Sequence, residues 1–116
     1  MNETRARELV ARERVRIESM LAELGRDISA EGGRRQPGDD ADASSARETE
    51  SMSVALRTDL REQLAAVERA EERIARGTYG RSVASGTRIP DERLEAEPLA
   101  ERTIEEQRDY ERHGSV

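Results

Sequence analysis

Apolar side chains in the N-terminal part of the chain recur with the spacing of an amphipathic helix. Arginine and glutamate fill the faces between them, and the recurring apolar residues are Val10, Ile17, Met20, Leu24 and Ile28. Positions three, four or seven residues apart lie on the same face of an α-helix. The pattern therefore predicts one long helix over residues 3–31.

A second periodic segment begins after a stretch that cannot continue a helix. Residues 31–40 read EGGRRQPGDD, in which three glycines and one proline interrupt helical hydrogen bonding. After it, the residues of one predicted helix face recur at alternating spacings of three and four, as in the seam of a heptad repeat. It comprises Ser53, Leu56, Leu60, Gln63, Val67, Ala70 and Ile74, with Met52 and Leu64 widening it.

This second seam predicts a helix over residues 43–76. Asp42 or Ser44 would cap its N-terminus, and Gly77 would end it because glycine readily takes the left-handed conformation found after helices. Two periodic helices joined by a short turn segment predict an antiparallel hairpin. We therefore expect an all-α fold in which residues 1–76 form a coiled-coil hairpin with a tip loop at about 31–42.

Composition narrows the possible structures and functions. The chain has 116 residues, 40% charged and 2% aromatic, which suits helices that each bury one stripe. The net charge of -6 argues against a protein that coats nucleic acid, and the absence of cysteine excludes thiolate metal sites. Without an apolar run that could span a membrane or act as a signal peptide, we expect a cytoplasmic protein.

The last third of the chain begins with a segment rich in turn residues, and it carries a recognisable motif. Residues 77–98 read GTYGRSVASGTRIPDERLEAEP, and a short helix is predicted after them over residues 99–112. This segment resembles the DksA/TraR family of bacterial factors (DnaK suppressor-like, C4-type zinc finger), whose members typically show G-x-Y-G-x-C-x-x-C-G-x-x-I-P-x-x-R-L-E-A-x-P and then C-x-x-C-Q. The matching residues are Gly77, Tyr79, Gly80, Gly86, Ile89, Pro90, Arg93, Leu94, Glu95, Ala96, Pro98 and Gln107.

The resemblance covers nearly the whole chain, and it implies a knuckle and a C-terminal helix over residues 77–116. The four family cysteines correspond here to Ser82, Ser85, Thr103 and Glu106, with the family spacing retained. Hydroxyls are poor zinc ligands because they resist deprotonation. We expect a degenerate knuckle without zinc, held by hydrogen bonds and by a small core of Tyr79, Val83, Ile89, Leu94, Leu99 and Ile104.

The resemblance also implies a role for the hairpin tip. In the family the hairpin enters the secondary channel of RNA polymerase and carries an Asp-x-x-Asp-x-Ala motif near the catalytic centre. The ungapped register places Asp39 and Asp42 at the two acids and Ser44 at the alanine. Aspartate is also an ordinary turn and capping residue, so a purely structural role for these carboxylates is the alternative.

Some family members bind the alarmone ppGpp through basic residues on the second helix and around the knuckle. The corresponding residues here are Ala66, Glu97 and Gln107, which provide no cation and add a carboxylate. A polyphosphate needs cationic donors, so we expect no ppGpp binding at these positions.

The resemblance implies a non-enzymatic transcription regulator whose partner is RNA polymerase. The Gly-Pro break favours a hairpin within one chain, so we expect a monomer, with a dimeric coiled coil as the alternative. The arginine-rich helix faces alternate with glutamate, which is typical of a solvated surface and not of a nucleic-acid site. No nucleophile, base or metal cluster accompanies the acids, so catalysis is not expected. A coiled-coil adaptor with a different protein partner is the alternative function.

Overall fold

The computed structural model describes residues 1–33 and 43–114 of the chain, with side chains over 1–26 and 47–114. Four helices follow one another: α1 (Glu3–Gly33), α2 (Ala43–Arg76), α3 (Asp91–Ala96) and α4 (Ile104–His113). The described part of the chain contains no strand, only an isolated antiparallel bridge between Arg81 and Arg88. The prediction of an all-α fold with a short C-terminal helix is confirmed.

The contacts divide the chain into two compact units. The hairpin unit comprises Arg14–Ala65, and the knuckle unit comprises Met1–Glu13 together with Ala66–Val116. α2 ends at Arg76, directly before the turn-rich segment of the sequence that begins at Gly77. Within the described residues, no helix has an apolar stretch long enough to cross a membrane.

The hairpin unit is closed by a narrow apolar seam between its two helices. Ile17 of α1 and Leu60 of α2 are fully buried. The Arg16 guanidinium donates to the side-chain oxygen of Gln63 at 3.2 Å, and these residues lie at similar distances along the chain from the connection between the helices. The two helices are therefore antiparallel, as the periodicity predicts.

The seam of the hairpin unit is narrower than the sequence suggests. Leu24 and Leu64 are half-buried, whereas Met20 and Leu56 are exposed. Met52, which was expected to widen the seam, is 73% exposed, so that expectation is wrong. The two predicted residues Ile28 and Ser44 lie outside the described side chains.

The knuckle unit buries a second apolar core. Its buried aliphatic residues come from the start of α1, the end of α2 and the segment that includes α3: Ala6, Leu9, Val10, Val67, Ala70, Ile74, Ile89 and Leu94. The helical periodicity identified four of them, Val10, Val67, Ala70 and Ile74, but missed Ala6 and Leu9, which lie one turn before Val10 and beside it. The start of α1 therefore buries more side chains per turn than a single heptad seam would.

A glycine ends α2 in the manner that the sequence predicts. Gly77 has a φ of 76°, in the left-handed region that favours glycine. Its N–H donates to the Ile74 carbonyl at 3.1 Å, and the Thr78 N–H donates to the Arg73 carbonyl at 2.8 Å. This pair of bonds is the Schellman arrangement, and it turns the chain out of α2 into the knuckle.

The expected core of the knuckle is only partly correct. Ile89 and Leu94 are buried and Tyr79 and Leu99 are half-buried, but Val83 is 50% exposed and Ile104 is 45% exposed. The two exposed residues directly follow Ser82 and Thr103, whose side chains take part in local hydrogen bonds. Their own side chains therefore face away from the knuckle interior.

The last helix is also shorter than the sequence predicts. It was expected to span residues 99–112, yet α4 begins at Ile104 because Thr103 serves as its N-cap. The preceding residues are held in an irregular path, in which the carbonyl of the buried Pro98 accepts a hydrogen bond from the Tyr79 hydroxyl at 2.7 Å.

We predict that Ile17→Ala lowers the free energy of unfolding by about 2–5 kcal/mol, because it leaves a cavity in a seam with few other apolar contacts. Chemical denaturation followed by far-ultraviolet circular dichroism measures the change. Val54→Ala is the matched control, since Val54 is exposed in the same unit and its truncation should change stability by less than about 0.5 kcal/mol. Equal effects of the two substitutions would contradict a seam through Ile17.

Candidate functional site

The first pair of degenerate metal positions, Ser82 and Ser85, forms a compact turn. The Ser82 N–H donates to the Thr87 carbonyl at 2.8 Å, and the Gly86 N–H donates to the Ser82 carbonyl at 2.9 Å. Gly86 has a φ of 76°, so a residue with a side chain would be strained at this position. The glycine that matches the family motif is therefore required by the backbone.

Side-chain oxygens stabilise the interior of this turn. Ser82 is only 5% exposed, and its Oγ accepts hydrogen bonds from the N–H groups of Ala84 at 3.0 Å and Ser85 at 3.3 Å. The Ser85 hydroxyl donates to Thr87 Oγ1 at 2.9 Å, and Ser85 Oγ accepts from the Thr87 N–H at 3.2 Å. The N–H groups of Ala84, Ser85 and Thr87 thus have partners that belong to the turn itself.

The second pair, Thr103 and Glu106, forms a capping box at the start of α4. Thr103 Oγ1 accepts from the Glu106 N–H at 3.2 Å, and the Glu106 carboxylate accepts from the Thr103 N–H at 3.0 Å. The two residues satisfy N–H groups that otherwise have no partner at a helix start. The sequence Thr-x-x-Glu before a helix is the usual signal for this motif, and it went unused in the sequence analysis.

The two pairs are brought together in the knuckle unit. The Val83 N–H donates to the Glu101 carbonyl at 2.9 Å, which joins the turn to the segment that leads into α4. The hydroxyls of Ser85 and Ser82 lie close enough to the Glu106 carboxylate to lower its pKa. The backbone bond from Val83 to Glu101 is thus the observed hydrogen bond between the two segments.

The charge of Glu106 is strongly favoured at this place. The nearby Ser85 hydroxyl is the largest cause, followed by the Thr103 N–H and the Ser82 hydroxyl, and together these groups lower the pKa of Glu106 to about 2. Removal from water raises the pKa, but less than these groups lower it.

The donor atoms at these positions do not fit a structural zinc ion. A structural zinc site uses thiolate or imidazole ligands around the cation, whereas these four positions offer three hydroxyls and one carboxylate. The described residues also contain no group of three or more histidine, cysteine, aspartate or glutamate side chains placed to hold a metal. The site is arranged for hydrogen bonding.

A second cluster, which sequence reasoning missed, ties the knuckle to α2. The Glu101 carboxylate accepts from the Arg69 guanidinium at 2.9 Å and from the Arg73 guanidinium at 3.1 Å. Burial raises the pKa of Glu101, but the hydrogen bond and charge of Arg69 and the charges of Arg73 and Arg102 outweigh it and lower the pKa overall. Arg73 is mostly buried, and one of its terminal nitrogens, Nη2, has no partner. Glu101 is therefore the counter-charge of a buried arginine.

The start of α1 is tied to α3 by an ion pair with two contacts. The Arg5 guanidinium donates to both oxygens of Glu95, at 2.8 and 2.7 Å. Glu95 belongs to the family-like stretch around residues 93–96, and the hydrogen bond from Arg5 lowers its pKa. Heptad analysis gave no indication of this pair, because its members are 90 residues apart in sequence.

The remaining predicted site residues fall into two groups. Asp39 and Asp42 lie outside the described residues, and Ser44 lies in α2 outside the described side chains, so their role stays a prediction. The three residues at the nucleotide-binding positions of the family lie in the knuckle unit. Ala66 and Gln107 are half-buried and Glu97 is exposed, and the Gln107 amide donates to Glu111 within α4 at 3.1 Å.

We predict that Glu101→Gln lowers the free energy of unfolding by about 1–3 kcal/mol, because it leaves the charge of Arg73 buried without compensation. Glu97→Gln removes the same charge from an exposed side chain nearby and should have little effect. Denaturant titration of both variants measures the difference. An unchanged stability of Glu101→Gln would show that the arginine contacts contribute nothing.

The low pKa of Glu106 makes a second prediction, about acid stability. A carboxyl group whose pKa is lower in the folded chain stabilises the fold above its ordinary pKa, and this stabilisation is lost as the pH falls from about 4.5 through about 2. The stability difference between the parent and Glu106→Gln should therefore be constant near neutral pH and shrink across that range. Thermal melts at several pH values test it, and a difference independent of pH would contradict it.

Comparisons with known proteins place this geometry in context. No protein-family model matches the sequence, and the search of curated proteins finds no match. Among solved structures, the chain is similar to transcription factor DksA2 from Pseudomonas aeruginosa, with a TM-score of 0.82 and 26% sequence identity over 96% of this chain and 84% of that one. The resemblance read from the sequence is thus confirmed at the level of structure, and the chain has a DksA-like fold.

Proposed function

We propose that the chain regulates transcription by binding RNA polymerase through its secondary channel. The observation that carries this proposal is the likeness to a transcription factor over 96% of the chain, which includes both long helices, the knuckle and α4. A generic helical hairpin would not share the family-like stretch of residues 89–98. The proposal therefore rests on two features that agree, the fold and this local sequence.

The tip would act through its negative charge. Asp39 and Asp42 fall at the positions of the two acids in the tip motif of the family. A carboxylate at such a position could contact basic loops of the polymerase or change the electrostatic potential around its metal-bound active site. The knuckle unit would dock outside the channel and fix how far the tip reaches.

We propose that the chain is not an enzyme and that it acts in the cytoplasm as a monomer bound to RNA polymerase. Its charge of -6 supports contacts to protein in preference to the phosphate backbone of DNA. We further propose that ppGpp does not regulate it at the family positions, because Ala66, Glu97 and Gln107 offer no cation to a polyphosphate.

The proposal predicts that the purified chain co-migrates with RNA polymerase from the same organism in size-exclusion chromatography. The double substitution Asp39→Asn and Asp42→Asn should leave this binding within about threefold of the parent, because the knuckle contacts remain. It should abolish the effect of the chain on transcription initiation in vitro.

A matched control is Glu48→Gln with Glu62→Gln, which removes two charges from exposed side chains of α2 and should keep the effect on initiation. Failure of the parent to co-migrate would reject the polymerase as partner. Recovery of another protein in a pull-down would then favour the adaptor function. If the tip variant binds the polymerase and still changes initiation as the parent does, the role of the two aspartates is rejected, but the polymerase remains the partner.

A further inference from the structure

Two arginines of the knuckle face each other across a short antiparallel contact. Arg81 and Arg88 form an isolated bridge. On one side of it the Ser82 N–H donates to the carbonyl of the residue before Arg88 at 2.8 Å, and on the other the Ile89 N–H donates to the carbonyl of the residue before Arg81 at 2.7 Å. Bonds that flank a pair in this way mark a non-hydrogen-bonded position, where opposite Cα atoms are about 4.5 Å apart. The two arginine side chains therefore leave the backbone at the closest cross-strand spacing and on the same face.

The face that carries the two arginines points to solvent. Neighbouring residues of an extended segment point to opposite faces. Ser82 and Ile89, the residues that follow the two arginines, are 5% and 1% exposed, so the opposite face is the interior of the knuckle unit. The Arg88 side chain is 71% exposed, and Arg81 is exposed as well. Two positive charges therefore project into water from adjacent positions.

Contacts within the chain engage these two guanidinium groups only weakly. Arg81 Nη1 donates to the Gly86 carbonyl at 3.4 Å, a long hydrogen bond. Arg88 Nη2 lies 3.7 Å from the Asp91 carboxylate, which is beyond hydrogen-bond distance, and Asp91 accepts from the Met1 amino group at 3.0 Å. Like charges that lie directly opposite each other destabilise a fold, and neither contact is a strong compensation.

We propose that Arg81 and Arg88 form an interaction surface for an acidic segment of a partner protein. A guanidinium group presents a fork of donors that matches a carboxylate, so two of them at adjacent positions suit two carboxylates on one exposed segment. The net charge of -6 repels nucleic acid at long range, which favours protein carboxylates over phosphates as the anions. The partner's identity rests on the proposed function: the acidic segment belongs to RNA polymerase outside the channel, where the knuckle unit would dock.

The double substitution Arg81→Gln with Arg88→Gln, the pair variant, should weaken binding of the full chain to RNA polymerase by about tenfold. It should also make binding less sensitive to salt, because two charge-assisted contacts are lost. The matched control is Arg7→Gln with Arg12→Gln, which removes the same charge from exposed arginines of the same unit. These two already donate to a glutamate four residues earlier, at 2.6 and 3.0 Å, so the control should bind within about twofold of the parent. Surface plasmon resonance at several salt concentrations measures both.

A second probe separates this inference from the proposed function. A labelled hexaglutamate peptide has the chemistry of an acidic segment without any polymerase, and at low salt the pair variant should bind it about fivefold more weakly than the control does. If the parent does not bind polymerase but the peptide shows this difference, the polymerase is rejected as partner and the acidic-segment surface is supported. If the parent binds polymerase and the pair variant binds it as tightly as the control does, the inference is overturned while the proposed function stands.

Thermal unfolding distinguishes a docking role from a structural one. Because the pair variant removes like-charge repulsion, its melting temperature should equal or exceed that of the parent. A melting temperature below that of the control would show that the arginines stabilise the knuckle, and equal peptide affinities of the two variants would show no preference for carboxylates. Either result overturns the proposal. Binding of a duplex DNA fragment that is lost only in the pair variant would overturn it too, because the surface would then bind phosphates.

Discussion

Burial of a few aliphatic side chains between α1 and α2 is the interaction on which the rest of the structure depends. The chain has no Phe or Trp and only two Tyr, so each helix can bury little more than one stripe. Among the described side chains of the hairpin unit, two in this stripe are fully buried, Ile17 and Leu60, whereas the start of α1 and the end of α2 contribute a broader core to the knuckle unit. Within the part of the chain whose side chains are described, apolar burial is therefore greater in the knuckle unit.

Electrostatic and hydrogen-bonding contacts complete the knuckle unit where apolar side chains are scarce. Arg5 with Glu95, and Glu101 with Arg69 and Arg73, connect segments that are far apart in sequence. Exposed ion pairs of this kind contribute little individually, but Glu101 compensates an arginine that is mostly buried. Glu106 acts more locally, since it forms the capping box of α4 with Thr103.

Sequence periodicity was sufficient for the long helices, because their seams repeat over many turns. The start of α2 at Ala43 and its end before Gly77 follow from the glycine-rich break and from the left-handed glycine. Sequence periodicity was insufficient in the knuckle, where turns and helix caps determine the path of the chain. Val83 and Ile104 looked like core residues because they are isolated aliphatic residues in a polar segment, yet both are exposed.

The candidate site was predictable in part. The spacing and the family-like stretch located Ser82, Ser85, Thr103 and Glu106, but they did not indicate the backbone N–H groups that the two serines accept within their turn. The capping box could have been read from Thr-x-x-Glu before a helix. The contacts of Glu101 could not, because nothing in the local sequence distinguishes it from the other glutamates of this charged chain.

The proposed entry of the hairpin tip into the secondary channel of RNA polymerase can be tested by cleavage from a reagent tethered at the start of α2. The chain has no native cysteine, so Ala43→Cys at the start of α2 allows an iron chelate to be attached at a single place. Hydroxyl radicals produced there cleave the polypeptide close to the tether. The account predicts cleavage of the polymerase subunits at segments that line the secondary channel beside the active site. Cleavage confined to the outer surface of the polymerase, in a complex that has formed, would contradict it.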